Sequence, residues 1–186
     1  MELIWILLGI IVVLVVIIIG IYNRLVALRQ TTRQAWSDIE VQLKQRQDLV
    51  PQLVNTVKGY AAHESETFEE VIKARQMAVN ASSVEGQAAA EGLLGQALGK
   101  LFALAEAYPE LKANTNFLQL QDQLSDIENK IAASRRFYNN SVQEYNTATE
   151  QFPAVLIAGP FGFQSREFFE APEGREMLQT PVEVTF

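Results

Sequence analysis

The chain has 186 residues, contains no cysteine and is acidic, with 15 Lys and Arg against 22 Asp and Glu. The absence of cysteine excludes a disulfide framework, a thiolate nucleophile and a cysteine zinc site. Its acidic balance disfavours nucleic acid as a partner, because phosphates require clustered cations. The length allows one domain plus a membrane anchor.

Residues 3–21 form an uninterrupted run of apolar residues and Gly. At about 1.5 Å per helical residue, this run matches a hydrocarbon core roughly 30 Å thick. Trp5 and Tyr22 lie near its ends, where amphipathic rings favour the headgroup level. A cleavable signal peptide fits less well, because the run is long, no basic residue precedes it and no small-residue cleavage site follows it. We expect residues 1–22 to be an uncleaved, single-pass transmembrane anchor.

The flanking charges predict the orientation of this anchor. Arg24, Arg29 and Arg33 follow the span, whereas only Glu2 and the terminal amino group precede it. The positive-inside rule then places the N-terminus outside and the C-terminal domain in the cytoplasm. The alternative is that the three arginines only solvate a helix.

Beyond Tyr22, apolar residues recur at alternating spacings near three and four as far as Tyr60, which predicts one amphipathic helix that continues the anchor without a linker. Pro51 lies in this helix and is expected to kink or restart it, because proline lacks the N–H of the ladder. A second helix is predicted to open with a capping box formed by Thr67 and Glu70.

A third helix is predicted from residue 87 to about residue 107, and the last from residue 115 to residue 151. The two long soluble helices are similar in length, so we expect them to lie antiparallel. The predicted fold is therefore all-α, with a single N-terminal transmembrane helix that continues into an antiparallel long-helix bundle of about four soluble helices, over residues 23–151. Residues 152–186 are expected to form an irregular aromatic tail that packs on the bundle or on a neighbour.

Many segments along the chain resemble the LemA family. They include Tyr22-Asn23-Arg24-Leu25-Val26, Ala35-Trp36-Ser37-Asp38-Ile39, Asp48-Leu49-Val50-Pro51, Thr56-Val57-Lys58-Gly59-Tyr60, Tyr108-Pro109-Glu110-Leu111-Lys112-Ala113, Arg136-Phe137-Tyr138-Asn139 and Gly162-Phe163. The resemblance covers almost the whole chain. It implies a single-pass bacterial inner-membrane protein with a helical bundle, no assigned catalytic activity, and magnetosome relatives associated with membrane biogenesis.

The sequence offers little for catalysis or metal binding. His63 is the only histidine, and a di-iron site of the Glu-x-x-His type needs one histidine on each of two helices. A weak cation site could be formed by His63 and the nearby Glu64, Glu66, Glu69 and Glu70, but a solvated acidic first turn is the preferred interpretation. We therefore predict no catalytic, cofactor-binding or metal residues, no cofactor, no small-molecule substrate and no enzymatic activity.

Several residues are candidates for packing or for contacts between copies. Trp36 is expected to be buried between the long helices, because it lies on the apolar stripe. Tyr138 and Tyr145 share one helix face, where they form either a ladder that recognises a partner chain or part of the core. Asn139 and Asn146 share the next face, and their role is not decided by the sequence. Further candidates are the phenylalanines of the tail: Phe161, Phe163, Phe168 and Phe169.

The third predicted helix contains three glycines, although each costs a helix roughly 1 kcal/mol. Gly95 and Gly99 would allow close approach of another helix. A frayed, mobile helix is the alternative.

Together these features predict a non-enzymatic, membrane-anchored scaffold that self-assembles as a homo-oligomer at the bacterial inner membrane. The bilayer is its first expected partner. The alternative function is an adaptor that binds another membrane protein, such as a protease or a sensor kinase, without assembling on itself.

Overall fold

The computed structural model describes residues 1–170; the part of the predicted tail in residues 171–186 lies outside the described residues. The described chain contains helices and connecting loops but no strand. The helices are α1 (Glu2–Lys58), α2 (Ser65–Asn80), α3 (Val84–Ala105), α4 (Pro109–Lys112), α5 (Thr115–Glu150) and α6 (Val155–Ala158). The predicted all-α class is confirmed.

The long α1 is continuous from the apolar segment through Pro51. Pro51 is exposed and lacks the N–H of one ladder bond, yet the helix continues through it. The expected helix without a linker is therefore present, and Pro51 does not restart it.

The predicted start of the second helix is wrong. α2 begins at Ser65 rather than Thr67, and its N-cap residue, Glu64, makes no side-chain capping hydrogen bond. Thr67 lies inside the first turn, where it cannot serve as an N-cap. Side-chain capping occurs instead at α3, where the Ser83 hydroxyl accepts a hydrogen bond from the Gly86 N–H at 3.0 Å.

The described residues divide into two compact units. The anchor unit contains Met1–Ser37 and Arg136–Glu167, and the bundle unit contains Asp38–Arg135 together with residues 168–170. Each unit takes one part of α1 and one part of α5.

The two long helices run antiparallel in each unit. In the anchor unit, Leu25 shares a core with Tyr145, and the ring of Trp36 lies 5.4 Å from that of Tyr138. Positions later in α1 therefore meet positions earlier in α5, as predicted.

The bundle unit has a continuous apolar core contributed by α1, α2, α3, α4 and α5. Its most completely enclosed side chains include Val50, Leu53, Val57, Val71, Leu94, Leu101 and Leu111. Helix α5 also buries apolar residues at spacings of three and four in this unit: Phe117, Leu120, Leu124, Ile127 and Ile131. Two core features escaped prediction: the short α4 and the buried polar side chains described below.

In the anchor unit, residues 3–20 are exposed along their whole length, and Ile21 is half-buried. Helix α1 is long and apolar enough in this part to cross a membrane, and none of its most apolar window is buried in protein. An apolar helix surface of this size is stable in a bilayer rather than in water. The chain is therefore membrane-anchored.

The segment after α6 ends in a Schellman motif, which explains why glycine stands at position 162. The Phe163 N–H donates to the Ala158 carbonyl at 2.9 Å, and the Gly162 N–H donates to the Gly159 carbonyl at 3.1 Å. Gly162 has φ of 72°, a conformation that costs other residues about 1 to 2 kcal/mol. Phe163 and Ala158 then meet in the apolar contact typical of this motif.

Candidate functional site

The most concentrated polar cluster of the bundle unit is a buried ionic network centred on Arg46. The Arg46 guanidinium donates to the carboxylates of Glu91 on α3 and Glu128 on α5. It also donates to the Glu91 carbonyl at 3.2 Å. Arg46 and Glu91 are almost fully enclosed, whereas the Glu128 side chain is about half exposed. One residue of α1 thus ties together three helices.

Amide side chains complete this network. Gln47 and Gln87 both donate to Oε1 of Glu91, the latter at 2.9 Å. Gln87 also donates to the Ala78 carbonyl at 3.0 Å, and Arg75 donates through Nε to the Gln47 carbonyl at 2.7 Å. The Glu91 carboxylate therefore has several donors, as a buried charge requires.

The electrostatics of the network keep Arg46 charged. Burial by itself lowers the pKa of Arg46, but the neighbouring Glu91 and Glu128 carboxylates raise it, and the net direction is upward. An arginine is already charged throughout the neutral range, so this site does not offer a proton to a reaction. The arrangement holds helices together; it does not resemble an acid–base pair.

This network was not predicted from the sequence, although the sequence carries one signal of it. The apolar stripe of α1 passes from Leu43 to Val50, and the positions between them that face the same side hold Arg46 and Gln47. Polar residues where the period requires apolar ones indicate buried partners. Their identity depends on Glu91, which lies 45 positions further along the chain.

In the anchor unit, the predicted ladder on α5 contacts the chain's own following segment. Tyr138 is buried, and its hydroxyl donates to the Glu167 carbonyl at 2.9 Å. The Asn146 amide both donates to the Arg166 carbonyl and accepts from the Arg166 N–H, each at 2.9 Å. Tyr145 is enclosed in the core beneath the Arg166 guanidinium, which lies 5.9 Å from the centre of its ring. These contacts favour the core role over recognition of a partner chain.

Trp36 is only half-buried, contrary to the expected full burial. Its ring contacts Tyr138 on one side, while the completely enclosed aliphatic positions beside it are Ala35 and Ile39. Position 36 therefore lies at the edge of the buried stripe rather than at its centre.

The tail phenylalanines occupy different environments. Phe163 is buried in the anchor unit, where Arg29 lies over its ring at 4.8 Å. Phe169 is buried and Phe168 is half-buried, whereas Phe161 is exposed. Phe163 thus packs on its own chain, within the anchor unit.

Gly95 and Gly99 lie on an exposed face of α3. A Cβ at either position would meet no atom outside its own helix within 4 Å. Both glycines line an open groove of about 430 Å³ together with Leu98, Phe102 and four residues of α5: Gln121, Leu124, Ser125 and Glu128. The small residues therefore leave space that no other part of the described chain fills.

His63 is exposed in the loop before α2. Residues 1–170 contain no group of three or more His, Cys, Asp or Glu arranged to hold a metal ion. The possible cation site at His63 thus gains no support from the geometry.

An apolar helix that continues into antiparallel helices around an apolar core defines a membrane-anchored, all-α protein. Residues 35–186 match the LemA family model, and the chain belongs to the LemA family. This confirms the resemblance drawn from the motifs.

Three curated proteins of similar sequence, one of them named LemA, match most of the chain. The magnetosome protein MamQ of Magnetospirillum gryphiswaldense is 29% identical over 187 residues, which cover 86% of this chain and 69% of the relative. The magnetosome protein MamQ 2 of Paramagnetospirillum magneticum is 28% identical over the same shares of the two chains. Protein LemA of Metamycoplasma hominis is 27% identical over 160 residues, which cover 83% of this chain and 71% of the relative.

Proposed function

We propose that this protein is a non-enzymatic, membrane-anchored scaffold whose copies assemble laterally at the bacterial inner membrane, with a role in membrane organisation or biogenesis. Two of the relatives are described as magnetosome proteins, which supports a role connected with membranes. The anchor favours assembly, because confinement to a plane raises the effective concentration of the copies.

The observation that carries the proposal is the unfilled space beside Gly95 and Gly99. Each glycine costs α3 roughly 1 kcal/mol relative to alanine. Inside the described chain nothing occupies the space that the missing side chains leave. A helix of a neighbouring copy could approach closely there and offset the cost.

The span itself offers less for assembly. Its glycines, Gly9 and Gly20, are eleven residues apart and form no small-xxx-small pair. Contacts between copies are therefore expected in the bundle unit.

Size measurement in a mild detergent tests the scaffold. The wild-type chain is expected to form a defined oligomer, and the double variant Gly95→Leu/Gly99→Leu is expected to run as a monomer with unchanged or higher helix content. A Cβ added at either glycine meets nothing in the chain itself, and the open groove leaves room for longer side chains, so the loss of size with helix content retained would report a contact between copies.

Gln119→Leu is the matched control, because it adds a leucine at an exposed position of α5 that does not line the groove. It should assemble as the wild type does. A monomeric wild type would overturn the scaffold and favour the adaptor that binds another membrane protein. Wild-type assembly of the double variant would exclude this face as the contact.

The proposed topology, N-terminus outside and C-terminal domain cytoplasmic, is testable because the chain has no cysteine of its own. Ser141 is buried, so a cysteine there would resist reagents whatever the topology, whereas Asn140 is exposed. In intact spheroplasts, a membrane-impermeant maleimide should label Glu2→Cys and spare Asn140→Cys, which should react only after permeabilisation. The opposite pattern would reverse the topology.

A further inference from the structure

Residues 152–163 have an unusual composition for a segment outside a membrane span. The twelve residues from Phe152 to Phe163 contain no polar side chain. They include α6 and the Schellman motif that fixes its end. The segment is therefore structured, and its apolar side chains have defined directions.

The segment lies beside the last turn of the membrane span. The ring of Tyr22 is 5.4 Å from that of Phe161 and 5.5 Å from that of Phe163, both edge-on. Ile21 packs against the cluster that contains Phe163 and Ala158. Because Tyr22 follows directly after the apolar run, these contacts place the segment at the headgroup level of the bilayer.

The buried and exposed side chains of the segment divide clearly. Ile157, Ala158 and Phe163 face the core of the anchor unit. The side that they leave uncovered is apolar as well, with exposed fractions of 80% for Phe152, 46% for Val155, 67% for Leu156 and 56% for Phe161. Large apolar side chains clustered in this way indicate an interaction surface.

The position of this surface identifies its partner. It adjoins the exposed apolar surface of the span through Ile21 and Tyr22, and that surface belongs to the part of α1 that is long and apolar enough to cross a membrane. Basic side chains follow directly: Arg24 is exposed just beyond Tyr22, and Arg29 lies over Phe163. Apolar side chains at the acyl boundary with arginines at the phosphates are typical of interfacial segments.

We infer that residues 152–161 are a second membrane contact, an interfacial wedge that inserts Phe152, Leu156 and Phe161 between the lipid headgroups beside the exit of α1. The wedge gives the anchor unit two points of attachment, which restrict its rotation at the membrane surface. This inference does not rest on self-assembly.

Lipid-depth quenching in vesicles tests the wedge. The full chain carrying Trp5→Phe and Trp36→Phe receives one reporter, Leu156→Trp, and is reconstituted into phosphatidylcholine and phosphatidylglycerol vesicles at low protein density. Lipids brominated near the glycerol end of the acyl chain should remove about half of the reporter emission, and aqueous acrylamide should have little effect, because the ring lies at the acyl boundary.

The matched control is Gln143→Trp in the same background, on the exposed face of α5 within the anchor unit. Its emission should respond to acrylamide and ignore the brominated lipids. Equal helix content by circular dichroism shows that both variants are folded.

Three results would overturn the inference. If acrylamide quenched the emission of the reporter at position 156 and brominated lipid did not, the segment would lie in water. The reporter could be shielded without lipid quenching and to a degree that grows with protein density, which would assign the surface to a second copy. Shielding without lipid quenching at every density would assign it to the chain's own fold.

Discussion

Replacement of Arg46 by methionine is expected to lower the free energy of unfolding by about 3 to 5 kcal/mol, because it leaves the Glu91 carboxylate buried without its cation. Arg46 and Glu91 are each about 5% exposed, so water cannot take over the lost contacts. Urea unfolding in mild detergent, followed by circular dichroism, measures the change.

Two further variants isolate the cause. Arg46→Met/Glu91→Gln should recover most of the loss, because a glutamine at position 91 is uncharged and its oxygen can still accept from Gln47 and Gln87. Lys44→Met on the same helix should cost less than about 1 kcal/mol, since the Lys44–Asp48 pair is exposed. If Lys44→Met lowered the free energy of unfolding as much as Arg46→Met, the loss could not be assigned to the burial of the Arg46–Glu91 pair.

The contribution of Arg46 to the free energy of unfolding should be constant across the neutral pH range. Its pKa is raised in the folded state, so its stabilisation is complete below the unfolded-state value and disappears only as the pH rises through the folded-state value. Both values lie far above neutrality.

Tyr145→Ala should destabilise the anchor unit by about 3 to 5 kcal/mol, the usual cost of removing a buried aromatic ring. The ring is 1% exposed and packs with Leu25, Ala158 and Phe163. Its loss should also release residues 152–167 from α5, so trypsin should cleave after Arg166 faster than in the wild type.

Phe137→Ala is the control for this change, because Phe137 is an exposed aromatic residue on the same helix. It should leave both the unfolding midpoint and the cleavage rate near the wild-type values. If Tyr145→Ala also left them unchanged, the packing of the segment on α5 would be refuted. Tyr145→Phe keeps the ring and should cost less than about 1 kcal/mol.

The long helices could be predicted because their information is local. Ile39, Leu43 and Val50 recur at the helical period, and that period by itself fixes which face is buried. The bounds of α5 agree to within one residue at the C-terminal end. Propensity and period act over a few residues, so they are readable in a single sequence.

What could not be predicted depends on residues distant in sequence. Arg46 looks like any surface charge until Glu91 and Glu128 lie beside it. From the sequence alone, the Asn146 amide could face solvent or make a contact. Only the position of Arg166 shows that it hydrogen-bonds to backbone. The start of α2 failed for another reason: a capping sequence is a preference of about 1 kcal/mol, which tertiary packing overrides.

The groove beside Gly95 and Gly99 predicts how association between copies depends on ionic strength. Residues 92–99 contain no charged side chain, and Glu128, which also lines the groove, is already paired with Arg46. Acidic copies repel one another over roughly 8 Å at physiological salt, so they approach with least electrostatic work where the facing surfaces carry no free charge. Added salt should therefore promote association through this face by screening the rest of the surface, whereas an interface built on ion pairs would weaken.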